Sequence, residues 1–421
     1  MDDRIRRRPT TGRVLGTVAV SIGAAAALGS VAAGALVVAV ARKVVTPTRR
    51  RVEDLKILAL TDTTVTLSIS PESRLPGTYS LWFDGGRGHA RIGGIVSLTE
   101  SAVTRELVGV DSGDLRMAAR ARLGGWVFRS PRDLNVRYRD VFVRTPLGPA
   151  PAWLIPAAEP SGAWAIAVHG RGVRRAETLR AVSAFRDAGY TVLLVSYRND
   201  GDAPSSDDGL YALGDTEWED VDAALGYAAD NGATDVVLMG WSMGGATVLQ
   251  AATRSPRANI VRGIVLESPV VDWVTALEHQ GRGLGLANPF RHGVLRVLSR
   301  KWGGRVTGQH QPIDLARLDF VARASELNVP ILLIHSIDDT FVPVDASRAL
   351  AQRRPDIVTY EEFNTAGHTK LWNFDAPRWN SAISGWLARL ALPGSTAESQ
   401  AGLQPSGSTE NFDRQPVAES E

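Results

Sequence analysis

The stretch DVVLMGWSMGG, residues 235–245, combines the pattern of a buried strand with a glycine-rich turn around Ser242. The run before the turn is almost entirely apolar. The turn leads into GGATVLQAATR, a sequence that is typical of a helix. Gly240 and Gly244 flank the serine in the spacing G-x-S-x-G, at positions where a side chain would collide with the strand or the helix. The pattern predicts a sharp strand-to-helix turn that presents Ser242 as a nucleophile. The alternative is an ordinary serine in a turn that glycines merely ease.

From about Ala163 onward, apolar strand candidates alternate with helical segments. Most of the strand candidates are continuous apolar runs, which are typical of parallel strands buried on both faces. The helical segment at residues 215–231 places Trp218, Val221 and Leu225 on one face. Repeated βα units predict a doubly wound, mostly parallel sheet with its functional residues at the carboxyl ends of the strands. The strand candidates are AWAIAVH (163–169), YTVLLVSY (190–197), DVVLMG (235–240), RGIVLES (262–268), PILLIHS (330–336) and IVTYEEF (357–363).

A histidine and an aspartate suited to activating the serine follow it along the chain. A hydroxyl becomes a good nucleophile only when a base accepts its proton. His368, in NTAGHTKLW after the last strand candidate, is the predicted base. Asp339, in ILLIHSIDDTFVPV at the end of the preceding strand, is predicted to orient His368 and to stabilise its charged form. The neighbouring Asp338 has the alternative role of capping the turn, which is common for a loop aspartate.

The loop after the first long strand, VHGRG at residues 168–172, is the predicted site of oxyanion stabilisation. Its glycines let the backbone approach a substrate carbonyl group closely. We assign the backbone N–H groups of Arg171 and Met243 to this oxyanion hole, where one such donor typically contributes about 3–4 kcal/mol in the transition state. His169 and Gly170 are expected to hold the loop in shape rather than to transfer protons.

These motifs together give the chain a family resemblance. From about Val136 to Leu392 it resembles the α/β-hydrolase superfamily, particularly the prolyl-oligopeptidase-like and esterase branches. The resemblance implies an α/β-hydrolase fold over residues 136–392, with a catalytic triad in the chain order Ser242, Asp339, His368. The motifs specify the fold and the triad but not the substrate. The matching pieces are HGRG, SYRNDG, GWSMGG, LESP, IDDTFVP and AGH.

Two segments do not fit the alternation of strands and helices. The connection at about residues 270–313 is long and contains the helical pattern FRHGVLRVLSRKW, so it is predicted to form a helical cap over the site. Residues 50–135 contain the short β-type runs VTLSIS, YSLWF and GGIVSLT, separated by proline and glycine. They predict a β-rich extension without a chemical motif. A hairpin is expected between Val141 and Ile155, where the hydrolase domain begins.

The first residues of the chain predict a membrane anchor. Residues 1–13 are basic, and residues 14–41 contain no charged side chain. As a helix that run would be about 42 Å long, more than the roughly 30 Å hydrocarbon layer requires. A single transmembrane helix is the favoured interpretation, and a secretory signal peptide cleaved after Ala41 is the alternative. Basic residues flank both sides, so the orientation stays open. At the other terminus, the polar residues 393–421 are predicted to be disordered.

The composition of the chain and the absence of several motifs exclude some classes of function. The net charge of +2 gives no global indication of nucleic-acid binding, and the absence of cysteine excludes disulfides and thiolate metal sites. No HExxH, P-loop or GxGxxG pattern occurs, so neither a metal nor a cofactor is expected. The aspartates in NDGDAPSSDDG fail the calcium-loop spacing. The sequence therefore predicts a membrane-anchored serine hydrolase acting on a small-molecule or lipid-like ester, without a prediction of oligomeric state. Peptidase or thioesterase activity with the same triad and a non-catalytic binding module are the alternatives.

Overall fold

Two bodies of β-structure follow one another along the chain, a closed barrel and an open sheet. The computed structural model describes residues 32–48, 51–159 and 161–390. The predicted basic segment 1–13 and the predicted disordered tail 393–421 lie outside the described residues. The β-rich extension expected from the sequence is confirmed and takes the form of the barrel.

The barrel consists of six antiparallel strands. They are β1 (Leu55–Leu60), β2 (Thr64–Ser68), β3 (Tyr79–Phe83), β4 (Gly88–Leu98), β5 (Ala102–Ser112) and β6 (Arg120–Gly124). Their order around the barrel is β1-β2-β5-β4-β3-β6, and pairing of β6 with β1 closes the ring. Leu67, Leu81 and Ile92 belong to the apolar interior. Arg105 is fully buried and donates five hydrogen bonds to main-chain carbonyl oxygens, so its charge is stabilised without a carboxylate.

The second body is an eight-stranded sheet. Its strands are β7 (Arg139–Thr145), β8 (Gly148–Ile155), β9 (Ala163–Val168), β10 (Thr191–Val195), β11 (Asp235–Trp241), β12 (Val261–Glu267), β13 (Ile331–Ser336) and β14 (Val358–Phe363). The order is β14-β13-β12-β11-β9-β10-β8-β7, and all neighbours from β14 to β10 are parallel. The hairpin β7–β8 adds two antiparallel strands at one edge. The doubly wound, mostly parallel sheet predicted from the sequence is thereby confirmed.

Helices cover both faces of the sheet. They are α1 (residues 32–45), α2 (Val182–Asp187), α3 (Trp218–Asp230), α4 (Met243–Arg254), α5 (Trp273–Gly283), α6 (Asn288–Ser299), α7 (Gly304–Thr307), α8 (Asp345–Arg353), α9 (Leu371–Phe374) and α10 (Ala376–Leu390). Successive strand side chains point to opposite faces. In β11, Val236 and Leu238 pack with α3 and α4, whereas Val237 and Met239 pack with α2 and α10. This two-sided burial explains why the strand sequences are almost continuously apolar.

The helical cap lies between β12 and β13, where the sequence predicts it. It contains α5, α6 and α7. Asp272 begins α5 as an N-cap, because its carboxylate accepts hydrogen bonds from the backbone N–H groups of Val274 and Thr275. Val294 and Leu298 bury the inner face of α6 in the same core as α3 and α4.

Helix α1 departs from the membrane-anchor prediction. Residues 14–31 of the predicted span lie outside the described residues, while residues 32–41 form part of α1, which continues to residue 45. Ala41 and Val45 are fully buried in the core of the second body, and a Cβ placed on Gly293 of the cap would lie 3.1 Å from Val37. The end of the predicted span thus packs against protein rather than lipid. No helix within the described part of the chain has the length and apolar character needed to cross a bilayer.

Candidate active site

The turn between β11 and α4 holds Ser242 in a strained backbone conformation. Its φ and ψ are 52° and −116°, a combination that a residue other than glycine rarely adopts. A Cβ on Gly240 would lie 2.4 Å from the carbonyl oxygen of Gly244, and a Cβ on Gly244 would lie 2.2 Å from the carbonyl oxygen of Val168. The two glycines are therefore required by close backbone approach. Both lie where the sequence pattern places them.

Replacing Gly240 with alanine is expected to destabilise the fold by about 1–3 kcal/mol, since the added methyl group must displace backbone atoms. Thermal or urea unfolding measures the change. Gly94→Ala is the matched control, because a Cβ there meets nothing within 4 Å. Equal stability of the two variants would contradict the close approach at the turn.

Ser242, His368 and Asp339 form one hydrogen-bonded chain. The hydroxyl oxygen of Ser242 lies 2.9 Å from Nε2 of His368, and Nδ1 of His368 lies 2.7 Å from Oδ2 of Asp339. An ionised carboxylate only accepts hydrogen bonds, so Nδ1–H donates to Asp339 and Nε2 is free to accept from the serine. The Asp339 side chain is fully buried, whereas 18% of the His368 side chain remains exposed. The arrangement allows proton transfer from Ser242 to His368.

The surroundings of Asp339 keep it ionised. Burial by itself would raise the pKa of this carboxyl group, but His368 and the hydrogen bonds from His335 and His368 outweigh burial and hold the pKa well below its ordinary value. Its other oxygen accepts hydrogen bonds from the backbone N–H groups of Phe341 and Val342, each at 2.9 Å. Asp339 therefore presents a fixed negative charge to His368.

Asp338, the neighbouring aspartate, has a different place. It is exposed, and its carboxylate accepts a hydrogen bond of 2.6 Å from the backbone N–H of Thr365. It thus links the loop after β13 to the loop after β14, which carries His368. The alternative from the sequence, in which Asp338 caps its own turn, differs from this contact between two loops.

The loop after β9 lies directly against the nucleophile. A Cβ on Gly170 would be 3.3 Å from the Cβ of Ser242. His169 is fully buried, stacks on Tyr197 with 4.2 Å between ring centroids, and places Nε2 3.1 Å from a carboxylate oxygen of Asp200. The Tyr197 hydroxyl donates to the carbonyl oxygen of Gly170 over 2.8 Å. These contacts fix the shape of the loop, and His169 contacts neither Ser242 nor His368 through a hydrogen bond.

The assignment of an oxyanion hole to the N–H groups of Arg171 and Met243 stays a prediction. Both residues adjoin the nucleophile, one in the loop after β9 and the other at the first position of α4. Within the described residues, neither N–H donates a hydrogen bond to a protein acceptor. Both donors are therefore free for a substrate oxygen.

The Arg171 side chain attaches helix α1 to this loop, a role that the sequence does not predict. Its guanidinium donates a hydrogen bond of 2.7 Å to the carbonyl oxygen of Val44, and the carbonyl oxygen of Val45 accepts another from the Tyr211 N–H at 2.8 Å. Free carbonyl groups at a helix C-terminus favour such cationic donors. The end of α1 is consequently fixed beside the predicted catalytic residues.

An apolar pocket of about 290 Å³ opens between α1, the cap and the loop after β13. Val40 and Val44 line it from α1, Leu277 and Leu284 line it from the cap, and Phe341 lines it from the loop. The ring of Phe341 lies 5.0 Å from the imidazole ring of His368, centroid to centroid. One residue of the pocket wall therefore packs against the predicted base.

Two residues behind the triad, Glu267 and His335, were not assigned to the site from the sequence. Glu267 is fully buried at the end of β12 and accepts hydrogen bonds from the indole N–H groups of Trp241 and Trp379, at 2.7 and 2.9 Å. Burial raises the pKa of its carboxyl group. His335 donates to Asp339 over 3.2 Å and receives a hydrogen bond from the Ser347 hydroxyl. Position at the end of a buried strand was the available signal for both.

The barrel supports the segment that follows His368. Glu72 forms an ion pair of 2.6 Å with Lys370. The Asn373 side chain donates to the carbonyl oxygens of Thr78 and Gly125, and its own oxygen accepts from Arg180. The extension thus stabilises the position of the segment that carries His368, a function for which the sequence carries no motif.

Across the part of the chain that the structure describes, no group of three or more His, Cys, Asp or Glu side chains is arranged to hold a metal ion.

Comparison with known families agrees with this geometry. The sequence profile of the alpha/beta hydrolase family matches residues 165–379, more than half of the chain. The chain belongs to the alpha/beta hydrolase family. A second profile, Domain of unknown function (DUF8805), matches residues 56–124 of this hydrolase and coincides with the barrel. No curated protein matches the hydrolase at a significant level.

Several solved structures resemble the hydrolase in fold. An esterase of Pyrococcus furiosus is 18% identical with a TM-score of 0.48, and the match covers 62% of this chain and 94% of the esterase. A puromycin-hydrolyzing peptidase of Mycobacterium tuberculosis is 23% identical with a TM-score of 0.44, covering 74% of this chain and 47% of the peptidase. A monoacylglycerol lipase of Paleococcus ferrophilus is 20% identical with a TM-score of 0.40, covering 57% of this chain and 99% of the lipase.

Proposed function

We propose that this protein is a serine hydrolase that cleaves a carboxylic ester through an acyl-enzyme intermediate. The observation that carries the proposal is the continuous hydrogen-bonded chain from Ser242 through His368 to the buried Asp339, at 2.9 and 2.7 Å. A nucleophile within reach of its base, and a base oriented by a third group, is the arrangement that covalent acyl transfer requires.

The reaction proceeds in two steps. The Ser242 oxygen attacks the ester carbonyl carbon while His368 takes the hydroxyl proton, and the free N–H groups of Arg171 and Met243 stabilise the oxyanion. His368 then gives its proton to the departing alcohol, which leaves an ester between Ser242 and the acyl group. Water attacks this ester with His368 again acting as the base, and the carboxylic acid is released. Asp339 remains ionised and stabilises the charged imidazole in both steps.

The pocket beside His368 supports an apolar acyl group. Its wall contains aliphatic side chains of α1 and the cap together with Phe341, and charged residues such as Lys43, Arg171 and Arg291 also line it. Burial of each methylene contributes about 0.8 kcal/mol. An acyl chain placed here would keep its ester carbon near Ser242, because Phe341 packs against the ring that receives the serine proton.

Hydrolysis of p-nitrophenyl acetate, butyrate and octanoate, compared with p-nitroanilide amides of the same acids, tests the proposal. We expect esters to be cleaved faster than amides and octanoate to have the highest kcat/KM. Faster cleavage of amides would indicate the peptidase alternative. No cleavage of either class beyond that by a Ser242→Ala variant would contradict the proposal.

Replacing Val40 with tryptophan tests the acyl pocket. The larger side chain is expected to fill the pocket and to lower kcat/KM for the octanoate by at least about tenfold, while that for the acetate changes little. Leu36→Trp is the matched control, since Leu36 lies on the same helix and is 44% exposed. An equal effect on both esters, or the same effect of the control substitution, would show that the acyl chain binds elsewhere.

We also propose that the uncharged segment 14–41 attaches the hydrolase to a membrane, with the last turns docked on the cap. The support is the length and composition of the segment. Alkaline carbonate extraction of the full chain should leave it in the membrane fraction, whereas a chain lacking residues 2–31 should be released. Release of the full chain would contradict the anchor and favour removal of the segment as a signal peptide.

A further inference from the structure

A cleft of about 920 Å³ lies between the barrel and the hydrolase domain and shares no lining residue with the acyl pocket. Five arginines and three aspartates line it, together with three tryptophans. The arginines are Arg51, Arg122, Arg129, Arg174 and Arg175. Neither the triad nor the proposed esterase reaction uses these side chains.

The three aspartates of the cleft are already engaged. Asp200 pairs with His169, and Asp202 forms ion pairs with both Arg174 and Arg175. Asp208 accepts hydrogen bonds from the Ser206 hydroxyl and from backbone N–H groups. Each of the three carboxylates is thus held by partners other than Arg51, Arg122 and Arg129.

Arg51, Arg122 and Arg129 form no ion pair with any carboxylate among the described residues. The Arg122 guanidinium lies over the ring of Trp82, 5.2 Å from its centroid. Burial, followed by the nearby charge of Arg51, lowers the pKa of Arg122 to about 10, and the opposite charges of Glu53 and Asp54 offset this only in part. The group stays charged at neutral pH and would be stabilised by an anion.

Two further donors at the cleft have no acceptor. The indole N–H of Trp126 and Nε of Arg175 are buried and form no hydrogen bond within the described part of the chain. Both residues line the cleft. A buried donor without an acceptor is costly, at about 1–3 kcal/mol, and such donors are usually satisfied by an ordered water, an ion or a ligand.

We propose that this cleft binds a phosphate-bearing anion. Guanidinium groups match the tetrahedral oxygens of phosphate and can each donate two hydrogen bonds. A phosphate monoester carries more than one negative charge and three acceptor oxygens, which suits three unpaired arginines better than a single carboxylate. The cleft is larger than a phosphate group, and Trp82 and Trp126, whose rings lie 5.0 Å apart, offer an apolar surface to the organic part of the ligand. The inference does not depend on esterase activity.

Calorimetric titration of the full chain in detergent tests this site. All proteins carry Ser242→Ala, so that no ligand is hydrolysed. The probes are inorganic pyrophosphate, dihexanoyl phosphatidic acid and, as a zwitterionic headgroup without net charge, dihexanoyl phosphatidylcholine. We expect saturable binding of pyrophosphate, of phosphatidic acid or of both, and no binding of phosphatidylcholine. Binding of phosphatidic acid alone would identify a lipid headgroup as the source, and binding of pyrophosphate alone would identify a soluble phosphate.

Substitutions locate the binding. Arg122→Gln and Arg129→Gln together should weaken it at least about tenfold, the loss expected from removing charged hydrogen bonds. Arg116→Gln is the control, since Arg116 is a barrel arginine, 78% exposed and paired with Asp62 away from the cleft. Arg129 is exposed, so Arg129→Gln alone remains a test if loss of Arg122 impairs folding. Absence of saturable binding, or equal weakening by the control, would overturn the proposal.

Discussion

Replacing Ser242 with alanine is expected to abolish ester hydrolysis, with a loss in kcat of about 10,000-fold to 1,000,000-fold. The physical reason is that water must then attack the substrate without a covalent intermediate, although the oxyanion donors and the pocket remain. Initial rates with p-nitrophenyl octanoate measure the loss. Binding of the substrate should be nearly unchanged, because the substitution removes a single hydroxyl group, which fills little of the site.

Ser196→Ala is the matched control for this prediction. Ser196 is also buried and follows β10, another strand of the same sheet, but its hydroxyl contacts Arg175 instead of the triad. It is expected to change kcat by less than about tenfold, the scale of one neutral hydrogen bond. A Ser242→Ala variant that retains the activity of the control would exclude the serine mechanism.

Replacing Asp339 with asparagine is expected to lower kcat by about 10,000-fold while leaving the fold intact. The carboxylate oxygen that faces His368 also faces His335, and both rings approach it with a nitrogen. An amide NH2 at this place donates, so His368 must accept at Nδ1 and carry its proton on Nε2. That tautomer cannot take the proton of Ser242. Steady-state kinetics with the octanoate ester give the change in kcat, and thermal unfolding checks the fold.

Asp338→Asn provides the control for Asp339. The two aspartates are adjacent, but Asp338 is exposed and only accepts the backbone N–H of Thr365. An asparagine oxygen can accept the same hydrogen bond, so activity should fall by less than about tenfold. A larger effect at Asp338 than at Asp339 would mean that the wrong carboxylate has been assigned to His368.

The sequence was sufficient for the fold of the hydrolase domain because its strands are buried on both faces. Such strands appear as apolar runs between helical segments, and the structure has a parallel strand at each predicted run. The barrel was predicted only as β-rich. The alternation of apolar and polar residues in its strands is incomplete, since all five residues of β3 are buried and β5 carries the buried Arg105. The number and closure of the strands therefore depend on pairings between distant segments.

For the site, motif spacing located the three residues that the structure brings together, since strand ends of a parallel sheet meet at one edge. Contacts made through the tertiary structure could not be foreseen. One such contact is the hydrogen bond from His335 to Asp339. Another is the attachment of α1 by the Arg171 side chain. The packing of Val37 beside Gly293 of the cap is a third, because an apolar helix end has the same composition whether it meets lipid or protein.

Labelling with a fluorophosphonate tests the central claim most directly. The reagent forms a stable bond only with a serine whose proton is removed by a base, as the 2.9 Å contact between Ser242 and His368 allows. We predict one adduct per chain by intact mass, located on the peptide that contains Ser242, with none on Ser242→Ala and a much slower reaction of His368→Ala. An unmodified wild-type protein, or an adduct on another serine, would contradict the account.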